Sequence, residues 1–476
     1  MRLAVWLALS AVTLLGGCAS FTPDAGFAPV AERVGATLGR DAVRIGDEVT
    51  AAETRDRVKA LLARPLGPDE AVQVALLSNR ALQADYNALG IAEADFVAAT
   101  LPPNPTISLE RTTMIGLLEI ERRLVVDLLA VATLPARAEI GRLRFEAARM
   151  RAVEATLRTA AETRRAWYRT VSASNVVAFL EEARLSADAA ADLTKRLGET
   201  GGATKLDQAR ASAFYAEISN DLARARLKVV TEREALTRHL GLWGEDLGFK
   251  LPVQLPALPK RLAGSAELEA RAVRDRVDLV AMRIDLEALR QSLGLTETTR
   301  FVSIGELAGI SSTEFERADG RTHRSSRRGF ELELGIPIFD LGEANVRRAR
   351  ETYMQAVNKL AAKAIDARSE VRAGYAGYRA TWDIARQYQN RILPLRRIVS
   401  EQAVLEYNGM LKDVFTLLTT ARESAASNMA AIEAKRDFFL AAVEFQTSLI
   451  GGGGSSGSPE TTSATSSAAP GGGEGH

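Results

Sequence analysis

The feature that most constrains this chain is the length of its proline-free, helix-patterned stretches. No proline occurs from Ala136 to Leu251, from Ile338 to Leu393 or from Leu395 to Ser458. Within them, small and apolar residues recur at helical spacing, as in Leu143, Ala147, Met150, Val153, Leu157 and Ala160. Arg142, Arg144, Glu146, Arg149, Arg151 and Glu154 fill the other side. This is a coiled-coil kind of stripe, with many alanines for close approach. A helix over about 136–196 would be roughly 90 Å long at 1.5 Å per residue. A compact globular domain does not need such a helix, so the chain reads as elongated. Its 476 residues then need not divide into the several domains that length alone suggests.

Composition narrows the function. Lys and Arg total 61 and Asp and Glu 60, a net charge of +1, which gives no support for nucleic-acid binding. Aromatics are 6%, and Ala, Leu, Arg and Glu dominate, which favours helices over an all-β fold. The single cysteine, Cys18, excludes an intramolecular disulfide. Histidines at 239, 323 and 476 are too scattered for a histidine-rich metal site. No nucleophile elbow, phosphate-binding glycine loop or zinc-protease signature occurs. No catalytic residue, metal ligand or cofactor is assigned, and the chain is read as not an enzyme.

The N-terminus reads as an address. Met1-Arg2 precedes an apolar run from Leu3 to Leu15, too short to span a bilayer but suited to a signal peptide. Leu15-Gly16-Gly17-Cys18 then resembles the bacterial lipobox, which makes Cys18 the lipid-attachment site. Ala19 behind it resembles an outer-membrane address, since Asp at that place would resemble inner-membrane retention. A lipid chain adds membrane affinity but makes no channel.

The helical pattern recurs. Gly198, Gly201 and Gly202 break it before a second long helix from about Lys205 to His239; Gly409 breaks it again before a helix to about Leu449. Trp167-Tyr168-Arg169 aligns with Gly377-Tyr378-Arg379, Ala209-Arg210 with Ala421-Arg422, and His239-Leu240-Gly241 with Ser448-Leu449-Ile450. Upstream, Leu82 and Ala84 align with Leu279 and Ala281. Landmarks in one order across both halves point to duplication.

Between the helices lie short alternating segments. Phe330, Leu332, Leu334, Ile336 and Ile338 alternate with Glu331, Glu333, Gly335 and Pro337. Arg300 to Ile310 is the expected partner strand, joined by a polar loop over Ser311 to Arg327. In the first half, Thr106 to Met114 and Leu118 to Val126 form a hairpin around Ile115-Gly116, with Arg122 interrupting its apolar face. Strands of this length, apolar on one side and polar on the other, fit a transmembrane β-barrel. The expected layout is a signal peptide over 1–17, a lipidated and poorly patterned leader over 18–66, and a first repeat over 67–245 with its hairpin at about 106–126. A Pro-rich linker over 246–264 leads to a second repeat over 265–450, with its hairpin at about 300–339. A Gly/Ser-rich tail over 451–476 lacks the apolar residues to bury a core and is expected to be disordered.

Several motifs together resemble the TolC-type outer-membrane factors, the outer membrane efflux protein family, in its lipoprotein branch. Leu101-Pro102-Pro103-Asn104-Pro105 resembles that family's step from helix into strand. Gly335-Ile336-Pro337-Ile338-Phe339-Asp340-Leu341-Gly342 resembles its strand-to-helix junction. Ile392-Leu393-Pro394-Leu395 resembles its helix interruption, and Tyr407-Asn408-Gly409 with Leu417-Leu418 and Ala421-Arg422 resembles its periplasmic tip. The resemblance implies a mainly α fold with a small β part. Each protomer would give four strands and long helices to a transmembrane β-barrel and an α-helical barrel, closed as a homotrimer in outer membrane lipid. It implies a passive exit duct of a tripartite efflux system, partnered by a periplasmic adaptor (membrane fusion) protein and an inner-membrane pump of the resistance-nodulation-division type. Tip candidates are Glu199, Gly201, Asp207, Tyr407, Gly409 and Asp413. Where many relatives carry a tip Asp-Val-Leu-Asp, this chain reads Phe415-Thr416-Leu417-Leu418; Asp413 or Asp207 would replace that acidic ring, or serve only as a helix cap. The polar strand phase makes Glu110, Glu119, Glu121, Glu331 and Glu333 candidates to line an acidic lumen, with Arg123 its main basic member. Carboxylate rings favour cations, and the segment from Tyr407 to Leu411 resembles the heavy-metal efflux branch more than the multidrug branch. The rival reading is a periplasmic helical adaptor or scaffold lipoprotein that forms no pore, although such proteins need more strands than this chain offers.

Overall fold

The computed structural model describes residues 20–452 except 116, 263, 265, 266, 303, 319, 320 and 410. Cys18 lies outside the described residues, as does all of the tail expected to be disordered over 451–476 except Gly451 and Gly452. The chain begins with helices α1 (Ala28–Leu38), α2 (Glu48–Leu62), α3 (Pro68–Ser78) and α4 (Arg80–Thr100). Strands β1 (Thr106–Met114) and β2 (Leu117–Asp127) follow, then a short α5 (Leu128–Ala132) and the long α6 (Leu134–Glu199) and α7 (Lys205–Leu240). The second half runs through α8 (Leu268–Asp275), α9 (Val277–Thr299), β3 (Ile304–Ala318), β4 (Arg321–Gly335), α10 (Glu343–Gln387), α11 (Leu393–Asn408) and α12 (Val414–Ile450). The mostly helical fold with four strands per chain is the one expected.

Helix α6 holds 66 residues, about 100 Å at 1.5 Å each. The buried clusters are strung along it in chain order. Phe145, Val153 and Leu157 pack with Tyr86 and Val277. Trp167 and Val171 pack with Leu240 and Phe438. Leu180 packs with Leu222, and Ala187 with Phe214 and Leu418. The core is therefore a line of contacts along a rod. Many large apolar side chains on the long helices stay exposed, among them Leu185, Leu227, Val230, Ile365 and Leu395. Where α10 meets α11, a π-helical turn covers Tyr388–Ile392 and Pro394 stands in the first turn of α11. Proline has no amide hydrogen to donate to the preceding turn, so the widened turn absorbs the break.

Landmarks aligned between the halves hold matching places. α3 gives way to α4 at Asn79, whose side chain caps Leu82 and donates to the carbonyl of His239 at 2.8 Å. α8 gives way to α9 at Arg276, whose guanidinium donates to the carbonyl of Ser448 at 3.2 Å. Near them, Trp167 donates its indole N–H to Leu66 O at 2.8 Å, and Trp382, five residues past the Gly377 aligned with Trp167, donates to Pro259 O at 2.9 Å. Tyr168 stacks on Phe439 and Tyr378 on Phe438. Gly241, at φ +70°, lets the end of α7 close against the Asn79 break; a Cβ there would stand 2.6 Å from Ser78 O.

The leader, poorly patterned in sequence, is packed onto the core. Val30 and Val34 are fully buried in the cluster around Tyr86. The amides of Gln73 and Gln83 clamp the backbone at Asp41, Val43 and Ile45. Its helices are short and its anchor points are polar, so apolar periodicity does not reveal them. The supposed polar loop over 311–327 is a correction. β3 and β4 each run 15 residues and pair continuously from Ile304–Gly335 to Ala318–Arg321. Here polar residues occupy both faces, so no apolar alternation marks the strand, while the backbone ladder continues.

Candidate functional site

The sheet is antiparallel in the order β1-β2-β3-β4, leaving the outer edges of β1 and β4 without a strand partner among the described residues. Directly opposed residues share a face. Glu110 opposes Glu121, Thr112 opposes Glu119, and Glu119 in turn opposes Glu314. Ala308 opposes Glu331 and Glu306 opposes Glu333. All five glutamates named from the sequence therefore lie on one face. The register adds Glu306, which lies within the expected strand, and Glu314 and Glu316, because β3 runs further than expected. Their even spacing in the sequence was the available signal. Asp127, Glu306 and Glu333 form one acidic row beside the helices; Asp127 also caps α5 through Ala130.

The acidic face is partly compensated. Arg123 reaches over β3 to Glu331 at 3.0 Å. Arg327 approaches Glu314 at 4.0 Å, and Ser312 donates to Glu119 at 2.6 Å. The other face has apolar rows next to the helices: Val126, Leu307 and Leu332, then Ile107, Leu124, Gly309 and Phe330. Phe330 and Ile107 are exposed, as are Ile336, Ile338 and Phe339 at the strand-to-helix junction.

At the far end of the helices two turns lie side by side. Glu199 ends α6, and Gly201 turns the chain at φ +80°. Asp207 and Thr204 form a reciprocal cap at the start of α7, with Thr204 Oγ1 donating to Asp207 at 2.6 Å and Asp207 N donating to Thr204 at 3.1 Å. Asp413 caps α12, accepting from the hydroxyl and amide of Thr416 at 2.6 and 3.0 Å. These bonds hold its carboxyl below the usual range. Both acids named for the tip thus act as caps. Tyr407 sits in the last turn of α11. Gly409 has an ordinary φ of −80° and is not there for a left-handed turn. The two turns are bound together: Arg210 lies over the Phe415 ring at 4.5 Å, and Arg422 pairs with Glu217 at 2.9 Å. Sequence reasoning missed both contacts, which join residues far apart in the chain.

Among the described residues, no helix is long and apolar enough to cross a membrane. None of them forms a group of three or more His, Cys, Asp or Glu placed to hold a metal ion.

Residues 270–445 match the model of the outer membrane efflux protein family, so the second half carries that family's sequence pattern. Its members are channels and not enzymes. The chain also has the fold of solved outer-membrane channels. The CusC structure, described with the conformational changes accompanying its folding and transmembrane channel formation, is 18% identical. It covers 83% of this chain and 92% of its own, at a TM-score of 0.67. The outer-membrane channel OprN is 20% identical over 88% of this chain and 95% of its own, at 0.68. The Campylobacter jejuni CmeC outer membrane channel is 17% identical over 84% and 86%, at 0.63. No curated protein matches the chain significantly by sequence.

Proposed function

We propose that this chain is the outer-membrane duct of a tripartite efflux system. Three copies close one 12-stranded barrel, and their long helices close a tube reaching into the periplasm. The observation that carries this reading is the sheet: two open edges, one face holding every strand carboxylate, and apolar rows on the other. An open edge in hydrocarbon leaves backbone groups unsatisfied, and a closed ring of strands removes it. The exposed apolar residues on the helices find partners in neighbouring copies in the same way.

In this assembly the acidic face lines the lumen, and Cys18 carries the lipid that anchors the leader to the outer membrane. The paired turns at Gly201 and Gly409 form the periplasmic end that meets the adaptor, with a resistance-nodulation-division pump beyond it. A confined acidic conduit concentrates cations, so the cargo class it favours is cationic, and heavy-metal ions fall in that class. Planar-bilayer recording of the purified protein tests this reading. Stable, long-lived conductance steps support it; a protein that never conducts is a scaffold.

A further inference from the structure

The strands and the helices attached to them are laid out in the same order. The sheet runs β1-β2-β3-β4. Above it α4, which leads into β1, packs on α6; α6 packs on α9, and α9 on α10, which follows β4. β1 and α4 therefore form one flank of the subunit, and β4 and α10 the other. Both flanks hold exposed large apolar side chains: Ile91, Leu101, Ile107 and Leu109 on the first, Leu332, Leu334, Met354 and Ile365 on the second.

Resting on the barrel reading above, we infer that the two flanks meet between copies in one register. Thr106 of one copy stands opposite Gly335 of the next, Ser108 opposite Glu333, and Leu109 opposite Leu332. The seam continues into the helices as α4 of the first copy against α10 of the second.

Closure restricts the choice. Within one chain Thr106, Val125, Ala308 and Glu331 share a row. A closed ring meets the next copy's β1 displaced along the strand, and the pleat makes that displacement an even number of residues. Three copies contribute it equally, while twelve strands make a row about 58 Å long. At about 3.3 Å per residue, a displacement of two per copy tilts the strands by about 19°, four by about 35° and six by about 46°. Barrel strands tilt by about 35–45°, which excludes zero and two. The strand ends then choose between four and six. β4 ends at Gly335, and beyond it Ile338 N donates to Ile336 O at 2.9 Å and Leu341 N to Pro337 O at 2.9 Å, so the chain turns. A displacement of four pairs all 9 residues of β1 with residues 327–335. Six leaves Thr106 and Ile107 facing the turn. Displacement in the opposite sense brings the helix end of β4 against residues 101–105, where Pro102, Pro103 and Pro105 have no amide hydrogen to give.

In this register Ile107 meets Leu334 and Leu109 meets Leu332 on the lipid side, pairing four side chains that a single chain leaves exposed. On the lumen side Glu110 meets Glu331. Arg123, bonded to Glu331 at 3.0 Å, offsets their repulsion.

The test is disulfide formation in membranes of cells making the full chain, with residues 1–18 exchanged for a cleavable secretory signal without a cysteine. Ser108→Cys is combined in turn with Glu331→Cys, Glu333→Cys or Gly335→Cys and oxidised with copper phenanthroline. Within one chain these positions lie three strands from Ser108, about 14 Å, beyond the reach of a disulfide, so every link joins two copies. Ser108→Cys with Glu333→Cys should link about tenfold faster than the other pairs and run as a covalent trimer, because a position two residues off stands about 7–8 Å away. Fastest linking through Glu331→Cys or Gly335→Cys overturns the register and leaves the barrel reading standing. So does a trimer by light scattering in which no pair links. A monomer overturns both. Should the lumen variants fail to assemble, Leu109→Cys with Leu332→Cys, set against Leu109→Cys with Leu334→Cys, makes the same comparison on the lipid side, and the first pair should link faster.

Discussion

Arg123 crosses the width of β3 to pair with Glu331 at 3.0 Å. It can do so because Ala308, the residue opposite Glu331, is small. The pair makes the acidic face a balance of charge that single substitutions can tip either way. Arg123→Ala leaves Glu331 without this cation and should raise cation preference in a salt gradient. Glu306→Gln with Glu333→Gln removes two neighbours of the acidic row and should lower it. A pore whose reversal potential ignores both changes would show that these side chains do not face the ions.

Arg276 is fully buried, bonded to Asp278 at 2.7 and 3.1 Å and to Glu370 at 2.5 Å. Lys363 stands 3.6 Å from Asp278. Removing one partner of such a network strands the other. Arg276→Met should therefore destabilise the fold by about 3–5 kcal/mol, read as a lowered thermal midpoint. Burial pushes the Asp278 carboxyl up, but the bond and charge of Arg276, with Lys363, hold it below its ordinary 3.8. Since the folded-state value is the lower one, this contribution is present above about pH 4 and is lost as the pH falls below it. Wild-type stability should drop there, and the Arg276→Met variant should drop less.

At the tip, Glu199 and Lys412 are exposed beside the two turns. Photocrosslinkers at these positions should capture a periplasmic adaptor in cells. Capture of outer-membrane proteins alone would reverse the orientation proposed for the rod.

At the N-terminus, Cys18→Ala should abolish labelling by radioactive palmitate and leave the precursor unprocessed. Globomycin should leave the wild-type precursor unprocessed but still labelled. A precursor processed normally under globomycin would remove the lipoprotein assignment.

Much of this was legible in the sequence where one physical signal dominates. The long helices follow from a 3.6-residue period uninterrupted by proline, and the inner half of each strand from alternation against an apolar surface. Legibility fails where that surface ends. Ser311 to Arg327 carries polar groups on both faces, so its sequence reads as a loop although its backbone pairs throughout. Phe315, Glu314 and Glu316 were misplaced with it. The segment joining the two leader helices is held by the amides of Gln73 and Gln83, which leave no periodic trace. Arg276 follows Arg274 and Asp275, so burial could not be read from a run that resembles a solvated surface. The capping roles of Asp207 and Asp413 were foreseeable as one of two options, since each lies three residues from a threonine with which it can exchange bonds.

The central claim is that one chain is a third of a pore. Its most direct test is the mass of the protein after detergent extraction and light scattering, with the detergent contribution subtracted and residues 1–18 exchanged for a cleavable secretory signal without a cysteine, so that neither lipid nor signal segment holds it in the micelle. The proposed assembly requires three protomers that stay together unheated and fall to one on boiling. A monodisperse, water-soluble monomer would contradict it.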